Sequence, residues 1–173
     1  NAASFERLIL ENMLHQAIQK QEFQLYYQPV NDQRVGKIVG MEALIRWQHP
    51  QLGLISPDRF IPLAEETGLI VKIGAWVFNT ACRQLHEFDQ KGIKIPQLSI
   101  NISPRQFHHV GFITMLEKTL KATGIDAGRI QLEITEEAFL KNFEEAAIKM
   151  NALKQMGFHF TVDDFGTGYS SLI

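Results

Sequence analysis

Gly40-Met41-Glu42-Ala43-Leu44-Ile45-Arg46 reads as the middle of a strand, predicted over residues 38–47. Successive side chains in a strand point to opposite faces. Glu42, Leu44 and Arg46 therefore share one face, and Met41, Ala43 and Ile45 share the other. A strand covered on both faces is a nearly unbroken apolar run, so the polar interruptions here are confined to one side. The same geometry recurs downstream. Asn101 stands between Ile100 and Ile102, Glu133 between Leu132 and Ile134, and Asp163 follows Thr161-Val162 with Asp164 beside it. Four successive predicted strands each offer an oxygen ligand.

Between these segments the periodicity turns helical. Residues 5–21 place Phe5, Leu8, Ile9, Met13 and Ile18 at helical spacing, and residues 24–30 form a strand stopped by Asn31-Asp32. Ser56-Pro57 starts a helix, with an N-cap serine and proline at the first helical position, which runs to Glu66 before Gly68 breaks it. An amphipathic helix over 70–90 ends at Gly92. Then come a strand over 97–102, a helix over 112–122 closing on Gly124, a strand over 130–135, a helix over 143–156 ending at Gly157, and a strand over 158–165. This alternation argues for βα units around a mainly parallel sheet. No repeat, low-complexity tract or linker divides the chain, so residues 1–173 read as one piece of one domain.

Composition removes several function classes. At 45% hydrophobic and 21% charged the chain is ordinary for a globular protein, and a net charge of -2 gives no basic face for a nucleic acid polymer. The single cysteine, Cys82, excludes an internal disulfide and a Cys-rich zinc site; its apolar surroundings predict a buried, inert thiol. Histidines 15, 49, 86, 108, 109 and 159 have no metal-binding spacing, and the His108-His109 pair, following a helical turn, is expected in solvent. No signal peptide or membrane-spanning run is visible.

The polar residues on one face of each strand point to chemistry. Most stand toward the C-terminal ends of their strands, where barrel enzymes carry active sites. Crowded carboxylates repel one another and lose solvation, so a cation must compensate. Glutamate, asparagine and aspartate oxygens are hard ligands that favour Mg²⁺ or Mn²⁺ over zinc. Taken singly, a strand-end aspartate is more often a turn or cap, and Glu136-Glu137 could be the acidic first turn of a helix. The concurrence of four is what points to a site. In Asp163-Asp164-Phe165-Gly166-Thr167-Gly168-Tyr169-Ser170-Ser171 a glycine-rich loop follows paired carboxylates directly, without the Gly-Lys-Ser/Thr of a phosphate-binding P-loop.

These motifs together resemble the EAL family of cyclic di-GMP phosphodiesterases, named for the tripeptide standing here as Glu42-Ala43-Leu44. The resemblance extends over Tyr27-Gln28-Pro29, Glu42 to Arg46, Ser56-Pro57 through Phe60-Ile61-Pro62 with Ala64-Glu65-Glu66, Asn101-Ile102-Ser103, Glu133-Ile134-Thr135-Glu136, and Asp163 through Leu172. It implies an α/β fold, a TIM-like (β/α) barrel with an antiparallel first strand, of which about the first five strands are expected here. It implies hydrolysis of cyclic di-GMP to linear pGpG. Glu42, Asn101, Glu133 and Asp163 would hold Mg²⁺ or Mn²⁺, with Asp164 joining a second ion; Glu42, Asp163 and Asp164 would be the catalytic carboxylates. Gln28, Leu44 and Arg46 would contact substrate, and Glu136 would anchor the loop carrying Gly166 and Gly168.

A complete barrel takes about 250 residues, so residues 1–173 are expected to be the N-terminal two-thirds of the domain. The catalytic lysine and the later glutamate and glutamine of the family have no counterpart in them. An incomplete barrel has open edges that a second chain, in a homodimer, could cover. The resemblance implies a cytoplasmic domain in a protein that can carry flanking sensory or diguanylate-cyclase (GGDEF) domains and a membrane anchor. A degenerate domain that binds cyclic di-GMP as a receptor remains the alternative, although such relatives usually lose the EAL glutamate or the paired aspartates, both present here.

Overall fold

The computed structural model of the protein describes residues 1–163, apart from the side chain of Asp163. Strands β1 (Phe23–Asp32), β2 (Lys37–His49), β3 (Gly53–Ile55), β4 (Leu98–Ile102), β5 (Ile130–Thr135) and β6 (His159–Asp163) form one sheet. Its order is β1-β2-β4-β5-β6, with β3 paired to β2 as a short hairpin. β1 runs antiparallel to β2, while β2, β4, β5 and β6 are mutually parallel. This is an arc of a TIM-like barrel with an antiparallel first strand.

Helices α1 (Ala2–Ala17), α2 (Pro57–Thr67), α3 (Ile70–Gln90), α4 (Pro104–His108), α5 (Phe112–Thr123), α6 (Glu136–Leu140) and α7 (Phe143–Met156) complete the described elements, with a single 3₁₀ turn at Ala127–Arg129. Every second strand residue faces the helices. Ala43, Leu98, Ile100, Ile102, Ile130, Leu132 and Ile134 pack with Phe78, Cys82 and Leu85 of α3 and Leu116 of α5 in one apolar cluster. Phe23, Ile45 and Trp47 join Phe60 and Ile73 in a second. Burial pushes the Cys82 thiol up to about 12, so it stays protonated and inert at neutral pH.

The structure departs from the sequence reading at short elements. β3, α4 and α6 are too brief to show a period: β3 was not expected, α4 was legible only as a helical turn ahead of His108, and α6 only as the acidic first turn at Glu136-Glu137. Ser56 does precede α2, with Pro57 at its start, but its side chain accepts no capping hydrogen bond. Ser103 does cap, accepting from the Gln106 amide ahead of α4. His108 is not in solvent as expected: it is half-buried, and its Nε2 lies 2.6 Å from the Ala138 carbonyl, which requires a protonated Nε2. Docking of α4 against α6 buries it.

β2 and β4 approach closely at Gly40. The Met41 amide donates to the Gln97 carbonyl at 2.9 Å, and a Cβ on Gly40 would meet that carbonyl oxygen at 2.6 Å. The obstacle is backbone, which cannot swing aside. Gly40→Ala should therefore destabilise the protein by about 1–3 kcal/mol, measured by denaturant titration, and an unchanged midpoint would show that the crossing is looser than described.

Candidate active site on the inner face of the sheet

Because the alternate residues are committed to the helices, the intervening ones share the opposite, inner face. On β1 and β2 the register sets Gln28 opposite Glu42, Tyr26 opposite Leu44 and Gln24 opposite Arg46. Gln28 is exposed and Glu42 half-buried; Leu44 is buried, but belongs to neither apolar cluster. The Arg46 guanidinium lies 5.3 Å from the centre of the Tyr26 ring, and its Nη1 donates to the Ile45 carbonyl at 3.0 Å. The remaining guanidinium donors make no ion pair among the described residues.

The expected ligands do not lie on one row of the register; they climb. Glu42 is level with Ser99, and Asn101 stands two residues further along β4. Asn101 is level with Glu133, and Glu133 with Thr161, two residues before Asp163 on β6. The climb is thus 2 + 0 + 2 residues over three strand pairs. Tilted barrel strands demand such a stagger, on average about one residue per strand for a shear of 8 on eight strands. A row at constant height around the barrel therefore crosses residues that rise through the register. This also explains why Glu42 sits mid-strand and not at the C-terminal end: β2 continues past the end of β4 to pair with β1 and β3.

Asn101 closes the first step. Its Nδ2 donates to Glu42 Oε1 at 3.2 Å. A carboxylate accepts only, so the amide must turn its NH₂ toward Glu42, leaving Oδ1 for another partner. Glu133 is half-buried between Leu132 and Ile134. Two residues on, the Thr135 hydroxyl is buried without a hydrogen-bond partner among the described residues. Backbone pairing places Asp163 level with Thr135. Asp164, Gly166 and Gly168 lie outside the described residues. Among the described residues no three His, Cys, Asp or Glu side chains form a metal cluster.

The donor chemistry nonetheless fits a hard divalent ion. Glu42, Asn101 and Glu133 offer two carboxylates and an amide oxygen on one face, with a hydroxyl beside them that has no partner among the described residues, and no thiolate or imidazole among the three.

Glu136 opens α6 and is half-buried, with exposed Glu137 next to it, so the acidic-first-turn reading of this pair is realised geometrically. The sequence reading assigned no role to Glu65, in the last turn of α2. Burial pushes its carboxyl above the ordinary range, and the charge of Glu137 adds to the rise; hydrogen bonding from Ser103 and the charge of Arg105 oppose it. Ser103 lies 38 positions away in sequence (103 − 65), so no local pattern could have revealed the contact.

An EAL-domain family model matches residues 11–173. The chain belongs to the EAL domain family. The "bifunctional diguanylate cyclase/cyclic di-GMP phosphodiesterase MucR" of Pseudomonas aeruginosa is 40% identical over 173 residues, covering 100% of this chain and 25% of MucR. The "oxygen sensor protein DosP" of Escherichia coli is 42% identical over 167 residues, 96% of this chain and 21% of DosP. This EAL chain thus spans about a quarter of the length of these curated relatives or less. The solved MucR phosphodiesterase in complex with c-di-GMP superposes with a TM-score of 0.86 at 39% identity, over 93% of this chain and 65% of that one. The EAL enzyme Bd1971, bound to cAMP and cyclic di-GMP, gives 0.87 at 35% identity, over 98% of this chain and 47% of that one.

Glu65 gives this EAL chain a pH signature. A carboxyl whose folded pKa is raised contributes stability below its unfolded pKa and loses it as pH rises through the folded value. Glu65→Gln is neutral throughout. Its stability relative to the wild type should therefore improve as pH rises from about 4 to about 7. Denaturant titrations at both ends check this; a difference independent of pH would mean that Glu65 is not desolvated.

Proposed function

We propose that this EAL chain supplies the metal- and substrate-binding face of a cyclic di-GMP phosphodiesterase, which in the full-length protein hydrolyses one phosphodiester bond to give linear pGpG. The observation that carries the proposal is the Asn101–Glu42 hydrogen bond on the inner face, where a hydrogen-bonded amide and carboxylate stand beside Glu133. The naming of MucR as a cyclic di-GMP phosphodiesterase, and its complex with c-di-GMP, support the choice of substrate.

Glu42, Asn101, Glu133, Asp163 and Asp164 would hold Mg²⁺ or Mn²⁺. When bound, such ions lower the pKa of water and polarise phosphoryl oxygens. Asn101 orients Glu42 by donating to Oε1, so that the other carboxylate oxygen is turned toward the site. Arg46, held between Tyr26 and the Ile45 carbonyl, presents its free donors to a phosphate; Gln28 and Leu44, on either side of Glu42 across the β1–β2 pair, line the path of the nucleotide. Glu136, at the start of α6, would anchor the loop carrying Gly166 and Gly168. No helix among the described residues is long and apolar enough to cross a membrane. A cyclic di-GMP ligand would go with a cytoplasmic domain, and sensory or GGDEF domains and a membrane anchor elsewhere in the protein are compatible with this reading. With β1 and β6 as open edges among the described residues, residues 1–173 alone should be inactive or pair with a second copy.

In the full-length protein, Glu42→Ala should cut pGpG production by more than the roughly 10–100-fold typical of losing an outer support residue, with near-UV circular dichroism unchanged. Wild-type turnover would remove Glu42 from the site, and wild-type protein that binds cyclic di-GMP without forming pGpG would make the domain a receptor.

Arg46→Lys should weaken cyclic di-GMP binding more than Mn²⁺ binding, because an ammonium cannot reproduce a bidentate phosphate contact. Calorimetry with each ligand reads both affinities; the reverse order would place Arg46 with the metal.

A further inference from the structure

Beyond Ala43 the parallel strands that carry Glu42 and Asn101 part. Ala43 is level with Ile100 of β4, and the next strand contact on that edge of β2 is Trp47 with Ile55 of β3. The other edge is taken by β1 throughout, from Phe23 opposite Trp47 to Asp32 opposite Lys37. Among the described residues, Leu44, Ile45 and Arg46 thus have no strand neighbour on the β4 side, and Asn101 and Ile102 have none on the β2 side. Buried main-chain N–H and C=O groups nearly always find partners; where a ladder is interrupted, side chains or ordered water supply them.

A cavity of about 40 Å³ lies at this gap, lined by Ala43 and Ile45 of β2, Asn101 and Ser103 at the exit of β4, Gly74 of α3 and Gln106 of α4, with further aliphatic side chains. One water needs roughly 10–15 Å³ of such space. Gln106 is 3% exposed, and its Nε2 is buried with no hydrogen-bond partner among the described residues. Its main-chain amide is already taken up by the Ser103 hydroxyl at 3.1 Å, so the orphan belongs to the side chain alone. Nor can that side chain swing toward α3. A Cβ on Gly74 would lie 2.3 Å from the side-chain amide carbon and nitrogen, so the amide already lies flat against the glycine. With α3 closed against it, the amide is left to the cavity that it lines.

A wholly apolar cavity stays dry, whereas a buried water requires about two to four polar partners. Here a fixed amide donor faces a stretch of main chain without a strand neighbour, which is the chemistry that holds water. The Nε2–H group donates to the water oxygen, and the water's own protons then need acceptors. The Ile45 carbonyl accepts from Arg46 Nη1 at 3.0 Å and keeps a second lone pair. We propose that an ordered water occupies this cavity, accepting from Gln106 Nε2 and donating to a main-chain oxygen of β2 between Ala43 and Arg46. The water takes the place of the strand neighbour that β2 lacks between β4 and β3, and Gln106 is the side chain that holds it. The inference does not depend on what the inner face binds.

The experiment is a crystal structure of the full-length wild-type protein at a resolution that shows waters, with Gln106→Leu beside it. Leucine is of similar size but has no donor, and it leaves the cavity without its orphan. The expected result is a wild-type water within about 3.2 Å of both Gln106 Nε2 and a main-chain oxygen of residues 43–46. In Gln106→Leu that water should be lost while the main chain superposes. No water at this place, or a Gln106 Nε2 bonded directly to a protein acceptor, would overturn the proposal. A water retained in Gln106→Leu would also overturn it, since other groups would then hold the molecule. In solution, oxygen-17 relaxation dispersion counts long-lived waters: the count should fall between wild type and Gln106→Leu, and an unchanged count would contradict the assignment. If Gln106→Leu does not fold, the wild-type crystal decides alone.

Discussion

Ile100 and Ile102 are pressed into the helices on one side of β4, and Asn101 between them has nowhere to go but the other side. Leu132 and Ile134 impose the same choice on Glu133, and Ala43 and Ile45 fix the side taken by Glu42. Burying each of these leucine and isoleucine side chains is worth about 1.5–3 kcal/mol, whereas a one-residue slip would expose all of them at once and bury the carboxylates. The polar face is thus enforced by apolar packing behind it. Nothing in the site has to hold the strands in register, which leaves its residues free to be chosen for chemistry.

The second constraint is stagger. A barrel strand is tilted, so neighbours at one height around the barrel are displaced along the chain. The climb from Glu42 to Asn101 lets residues at unequal register positions stand together, and the Asn101–Glu42 hydrogen bond spans this step. The helices that follow β4 and β5 begin three residues after the expected ligands Asn101 and Glu133, so these strand exits are where α4 and α6 can act on the site. Short helices suit that place: α4 and α6 each occupy only 5 residues, enough to turn the chain and present caps and carboxylates.

Much of this was legible in the sequence. Period-two interruption at Glu42, Asn101 and Glu133 gave their common face, because the pattern that buries the alternate residues is itself a sequence pattern. Helices α3, α5 and α7 were legible from their apolar spacing and from Gly92, Gly124 and Gly157 beyond their ends. β3 was not, since three residues cannot display a period, and of the five-residue helices only a turn ahead of His108 and the acidic first turn at Glu136-Glu137 could be read. The mid-strand position of Glu42 was hidden because β2 is long on account of β1 and β3, not of the parallel sheet. His108 read as solvated because the Ala138 carbonyl is 30 positions away. Glu65 was visible only as part of a motif; its partner Ser103 is a neighbour made by folding, and no local propensity encodes it.

The central claim is that Glu42, Asn101 and Glu133 face one divalent ion. Anomalous diffraction at the manganese edge, from crystals of the full-length protein grown with Mn²⁺ and cyclic di-GMP, tests it most directly. The predicted result is a peak at about 2.0–2.2 Å from a Glu42 oxygen, Asn101 Oδ1 and a Glu133 oxygen, within the range expected of hard six-coordinate ions. An ordered nucleotide with its manganese held by other side chains, or with no peak beside these three, would contradict the account.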